Sequence, residues 1–125
     1  MKLFTVEEAN ALLPMVRRAV EKIRGAHAQV AASQEAARAA AAAAQLGGGG
    51  MPGGARYVNA LTTLAGRVNQ LEELGVQLKD YERGLVDFPS LRDGKLVLLC
   101  WQWGEGDQIE WWHDPEAGFA GRQPL

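Results

Sequence analysis

Between Val6 and Val30 seven apolar residues and one histidine keep a single rhythm. Val6, Ala9, Leu13, Val16, Val20, Ile23, His27 and Val30 follow one another at alternating steps of three and four. At 3.6 residues per turn this spacing lines one side of an α-helix with a continuous seam, which has to be buried along another element. Thr5 and Glu8 stand ahead of it as a capping box, with Thr5 at the N-cap and Glu8 at the third helical position. Alanines 37, 41 and 44 carry the pattern on to about Leu46. Pro14 falls inside the helix and removes one backbone donor, so a kink is expected near Asn10 to Leu13.

The run GGGGMPGG at residues 47–54 is a break that neither helix nor strand would cross. A second seam follows it, with Tyr57, Leu61, Leu64, Val68 and Leu71 spaced four, three, four and three, and Gly75 stands where a C-cap glycine belongs. Two helices joined this way form an antiparallel hairpin. Their lengths differ: about 41 residues, roughly 60 Å, against about 20, roughly 30 Å. The surplus of the first helix has two readings. Either its alanine-rich end is simply exposed, or it packs on a second copy of the chain. The seam residues Val16, Val20 and Ile23 favour the homodimer, unless strands bury them instead.

After Gly75 the period changes to two. GVQLKD, GLVDFP, KLVLLCWQW and QIEWWH read as four strands, with RDG and GEGD as tight hairpin turns between the last three. DPEAGFAGRQPL has too many Gly and Pro residues for a regular element. The expected fold is α+β in a single domain, residues 1–125. A helical hairpin at 5–74, with its loop at 47–54, precedes a three- to four-stranded antiparallel meander at 76–113 and an irregular tail at 114–125.

Strand register then places the unusual residues. With GEGD as a four-residue loop, Trp103 pairs with Gln108, Cys100 faces Trp111 and Leu98 faces His113. A two- or four-residue RDG loop puts Asp87 opposite Cys100 or Leu98. Alternation gathers Asp87, Leu98, Cys100, Trp111 and His113 on one face of the sheet. Val86, Phe88, Val97, Leu99, Trp101 and Trp112 take the other, which is expected to pack on the helices.

Carboxylate, thiolate and imidazole are the usual ligands of zinc and related divalent transition ions, so Asp87, Cys100 and His113 are a candidate metal site. The sequence has no CxxC and no HExxH to support it. The plainer reading makes Cys100 a small buried hydrophobe, with His113 bonded to Asp87 or Asp114. Glu105 is either an acid/base partner of His113 or a solvated turn acid. Arg122 is either an anion ligand or a pin that ties the tail to the body. Trp101, Trp111 and Trp112 offer an aromatic interaction surface or an aromatic core. His27 is a register-setting polar residue on the seam, or a ligand.

Composition excludes other classes. A net charge of −2 gives no footprint for nucleic acid. One cysteine allows no internal disulfide, which fits a cytoplasmic location. MKLFTVEEAN has no apolar run of signal-peptide length, and no stretch reaches the roughly 20 apolar residues of a membrane span. GGGGMPGG lacks the lysine and hydroxyl residue of a P-loop, and there is no GxSxG.

FTVEEANALLP, LGVQLKDYERGLVDFP, LLCWQWGE, WWHD and GFAGRQPL together resemble a bacterial family catalogued as domain of unknown function 2203. The resemblance spans nearly the whole chain apart from the Ala/Gly stretch at 36–54. It implies no activity. The family's pattern falls on Asp80, Gly84, Asp87, Phe88, Pro89, Cys100, Trp101, Glu105, Trp112, His113, Gly121 and Arg122. Its polar members largely coincide with the residues that strand register gathers.

Two functions follow from the sequence. The first is a non-enzymatic homodimeric interaction or scaffold protein that presents its aromatic patch to a partner protein. The alternative is a metal- or small-ligand-binding domain, with hydrolysis as its candidate activity, built on Asp87, Cys100, Glu105, His113 and Arg122.

Overall fold

Thr5 and Glu8 close the capping box in both directions. The Thr5 N–H donates to Glu8 Oε1 at 2.9 Å, and the Glu8 N–H donates to Thr5 Oγ1 at 3.0 Å. These bonds hold the Glu8 carboxyl below the usual carboxylate range. The computed structural model, which describes residues 1–45 and 53–125, shows helix α1 (Val6–Gln45) running from this cap. Pro14 sits inside the helix on an exposed side and does not divide it. Most of the glycine-rich connection expected at 47–54 lies outside the described residues. Helix α2 (Gly54–Leu74) ends at Gly75, where the N–H groups of Gly75 and Val76 bond back to the carbonyls of Glu72 and Leu71.

The strands are β1 (Gln77–Asp80), β2 (Leu85–Arg92), β3 (Lys95–Gln102), β4 (Trp111–His113) and β5 (Gln123–Pro124). They form one antiparallel sheet in the order β1-β2-β3-β4-β5. The class is α+β as expected, with five strands in place of the expected three or four. The fifth comes from the tail: Gln123 and Pro124 pair with Trp112 and Trp111, so residues 114–125 are not wholly irregular. Glycine and proline did not prevent this, because two edge residues need only one partner strand.

The β2–β3 turn is Asp93-Gly94, with φ of 53° and 77°, the left-handed pair that matches the twist of a two-residue hairpin. It sets Asp87 opposite Cys100. Pro89 is tolerated inside β2 because its carbonyl, bonded by the Phe4 N–H at 2.7 Å, faces away from β3. Its missing N–H lies on that same side and takes nothing from the β2–β3 ladder.

The β3–β4 connection corrects the expectation of a tight GEGD turn. Leu98 faces His113 and Cys100 faces Trp111 in the expected register, but the Trp103–Gln108 pair does not form and Gln108–Glu110 is not strand. The backbone groups there bond elsewhere. The Trp103 N–H donates to the Gly84 carbonyl at 3.0 Å, and the Ile109 N–H donates to Asn10 Oδ1 at 2.7 Å. Ile109 is thereby drawn into the core, and Arg17 holds Asp107 at 2.8 Å.

The core resolves the length mismatch of the helices. Val16, Val20 and Ile23 have no exposed surface within a single chain, packed in one cluster with Leu71, Val86, Phe88, Leu99 and Trp101. Sheet and β3–β4 loop cover the first turns of α1, while Ala26 and Gln29 share a cleft with Arg56, Asn59 and Ala60 of α2. These seam residues therefore need no second copy to be buried. From Gln34 to Ala43 the side chains of α1 are mostly exposed. Gly84, in the turn before β2, packs closely on α1. A Cβ there would lie 2.7 Å from Val20 Cγ1 and 2.8 Å from Trp103 Cβ, at a φ of +67°.

Candidate metal-binding site

Alternation along β2, β3 and β4 sends Val86, Phe88, Leu99 and Trp101 to α1, with Trp112 half-buried beside them. The opposite face receives Asp87, Leu98, Cys100, Trp111 and His113. It is no less dry for its polar content: Asp87, Cys100 and His113 are 2%, 0% and 3% exposed. One carboxylate oxygen, the sulfur and one imidazole nitrogen all lie within 4.8 Å of one another.

His113 is oriented from both sides. Its Nδ1 lies 2.7 Å from the Asp114 carbonyl and its Nε2 lies 3.0 Å from Asp87 Oδ1. A carbonyl only accepts, so Nδ1 carries the hydrogen. One proton then occupies the Nε2–Oδ1 contact, on the ring or on the carboxyl. The Cys100 thiol keeps its own proton. Burial, and secondarily the negative charge of Asp87, push it up from 9.0 to about 12, against a smaller opposing pull from Arg122.

Arg122 and Glu105 join the cluster at its rim. The Arg122 guanidinium lies 3.9 Å from Cys100 Sγ and 2.9 Å from Glu105 Oε2. Glu105 Oε1 accepts the Gln102 N–H at 2.7 Å, which fixes the carboxylate at the end of β3. All five sequence candidates thus fall into one connected set, with roles redistributed. Asp87 bonds His113, as one sequence reading had it, whereas Glu105 does not, and Arg122 pins the tail to the body through Glu105 and Cys100.

The aromatic surface expected of Trp101, Trp111 and Trp112 does not exist as one patch. Trp101 is 1% exposed, and Trp111 and Trp112 point to opposite faces of β4. Each tryptophan also carries an arginine over its ring: Arg17 on Trp101 at 5.5 Å, Arg24 on Trp103 at 5.5 Å, Arg122 on Trp111 at 4.9 Å and Arg92 on Trp112 at 4.8 Å. The indoles are core and cation partners. His27 lies apart from the cluster, stacked on Tyr81 at 5.8 Å.

Sequence reasoning missed Arg83 and Phe119; it named Asp114 as a partner of His113, and the structure uses its backbone carbonyl. Phe119 lies between two guanidinium groups, Arg83 and Arg122, each 4.2 Å from its centroid. A backbone carbonyl carries no sequence signal.

The fold and cluster define an α+β domain with a buried Asp-Cys-His constellation on the outer face of its sheet. The chain matches, over residues 2–125, the family described as "Uncharacterized conserved protein (DUF2203)", and belongs to it. No curated protein and no solved structure matches the chain. Among the described residues no helix is long and apolar enough to cross a membrane.

Proposed function

We propose that this protein is a metal-binding domain that takes one divalent transition cation, zinc in the first instance, on Asp87, Cys100 and His113. The observation that carries the reading is the convergence of three zinc-type donor atoms within 4.8 Å in a dry site. Tetrahedral zinc, with bonds of about 2.0–2.3 Å, holds its ligands about 3.5 Å apart, so the widest donor pair closes by about 1 Å while His113 Nε2 and Asp87 Oδ1, now 3.0 Å apart, open slightly. The hydrogen bond from Nδ1 to the Asp114 carbonyl is the outer bond that metal-bound histidines make, and it leaves Nε2 to the metal.

Charge supports a divalent ion. Binding displaces the Cys100 proton and the proton shared by Asp87 and His113, so two positive charges leave as two arrive. The buried cluster keeps its net charge, and the Arg122–Glu105 pair keeps its balance. A monovalent or trivalent ion would leave an uncompensated charge in a dry site.

Cobalt(II) added to metal-free, untagged protein tests this. The expected result is about one equivalent bound, with a thiolate-to-cobalt charge-transfer band that Cys100→Ser abolishes. His113→Gln should weaken binding at least tenfold. Absence of uptake, or uptake indifferent to both substitutions, overturns the reading. A homodimer is a second proposal, supported now only by the exposed turns Gln34–Ala43 of α1. Light scattering across a dilution series tests it, and a monomer at every concentration removes it.

A further inference from the structure

We propose that residues 114–125 form a strap over the Asp87–Cys100–His113 cluster, latched by Arg122 on Glu105, which opens to admit the metal. This rests on the metal-binding reading for its cargo, although not for the motion. The three ligand side chains are at most 3% exposed, so no cation reaches them while their cover stays in place. Part of that cover is the tail: the Arg122 guanidinium lies directly on Cys100 Sγ, at 3.9 Å.

The strap is fastened differently from what lies beneath it. In β2 and β3, residues 85–90 and 97–101 are buried without interruption. From Asp114 to Leu125 no residue is buried. Its regular structure amounts to a three-residue turn, Phe119–Gly121, and two residues of edge strand, with the Leu125 N–H bonded to the Glu110 carbonyl at 2.9 Å. What holds it is polar and cationic. Arg122 pairs with Glu105 at 2.9 Å and lies over Trp111, Phe119 packs against Arg122, and Arg83 covers Phe119 while donating to Gln102 Oε1 at 2.7 Å. A segment with few buried apolar contacts opens at a fraction of the cost of global unfolding. Apolar burial holds the strands closed while the strap moves. One ion pair, at the point where the strap meets the cluster, sets how often it opens.

Glu105→Gln tests the latch without touching a ligand, because the amide oxygen can still accept the Gln102 N–H. Two rates are read under native conditions: labelling of Cys100 by a thiol reagent, and cobalt(II) uptake. Both should rise roughly tenfold in Glu105→Gln, the factor that corresponds to losing one partly buried charge-assisted pair. The final cobalt stoichiometry should not change. Asp107→Asn is the control, since it breaks the Arg17–Asp107 pair in the same loop, where Asp107 is 87% exposed. It should leave both rates alone. Equal acceleration by the two variants would mean general loosening of the loop and would overturn the strap, as would acceleration by neither. Should Glu105→Gln fail to fold, hydrogen exchange on wild type decides. Amides of Arg122 and Leu125 should exchange at the rate of Cys100 labelling and well ahead of β2 and β3; protection equal to that of β2 and β3 contradicts the strap. If no cobalt binds to any variant, the metal-binding reading fails, and thiol labelling still tests the strap on its own.

Discussion

The two faces of the sheet are equally dry and differ in what makes them so. On the α1 side, Val86, Phe88, Leu99 and Trp101 are buried by apolar packing, in one cluster with Leu13, Val16, Val20 and Ile23. On the outer side, Asp87, Cys100 and His113 are buried in a hydrogen-bonded and ionic network closed by Arg122 and Glu105. Apolar burial stabilises in proportion to area. Buried charge does not: an ion pair removed from water is often no more stable than a well-packed hydrophobic pair in its place. The inner face therefore accounts for the fold, and the outer face needs another reason to be polar. The metal binding proposed above would supply one.

Mutations separate the faces, and the largest effect belongs to the inner one. Phe88→Ala, which removes a fully buried ring set edge-on to Phe4 at 5.5 Å, should cost about 3–5 kcal/mol in denaturant unfolding. On the outer face the informative experiment is a cycle. Asp87→Leu should cost about 3 kcal/mol, because it strands His113 without a partner for its shared proton. Adding His113→Leu should recover much of that loss. A double variant that costs the sum of the two single changes would show that the outer face is as structural as the inner.

A smaller effect comes from pH. Folded Cys100 holds its proton up to about 12, whereas the unfolded chain releases it near 9.0. Between those values the folded state binds more protons than the unfolded state, so stability is fully present below pH 9 and falls as pH rises. Metal-free wild type should lose roughly 1 kcal/mol per pH unit relative to Cys100→Ala in that window. Equal slopes would place the thiol in a wetter site than the structure shows. The smallest expected effect is on the inner face itself. Chelator should lower the melting temperature of zinc-loaded wild type, and equally that of zinc-loaded Leu99→Val, since the core and the metal contribute independently.

Much of this was legible beforehand, for reasons that differ by region. The seam of α1, the Thr5–Glu8 box and the Gly75 cap are local patterns fixed by helix geometry. The facing of Asp87, Cys100 and His113 follows from a period of two and a two-residue Asp93-Gly94 turn. Neither needs knowledge of the rest of the molecule. The opening of the ladder after Gln102 was not legible, because Asn10 draws Ile109 out of the strand from 99 residues away. The same holds for β5 and for Arg122, whose pairing with Glu105 depends on where an otherwise irregular tail crosses the sheet. The tryptophans left surface and core both open for a related reason. Their number suggested a surface, and only the fold reveals an arginine over each ring.

On the proposed reading, the outer face is polar because it exchanges protons for a metal. Calorimetric titration of zinc into metal-free protein, repeated in two buffers of different ionisation enthalpy, tests it most directly. About one zinc should bind and about two protons should be released per chain, both lost in Cys100→Ser combined with His113→Gln. Wild type that binds no zinc, or that binds it without releasing protons, would contradict the claim and leave the Asp-Cys-His network as packing alone.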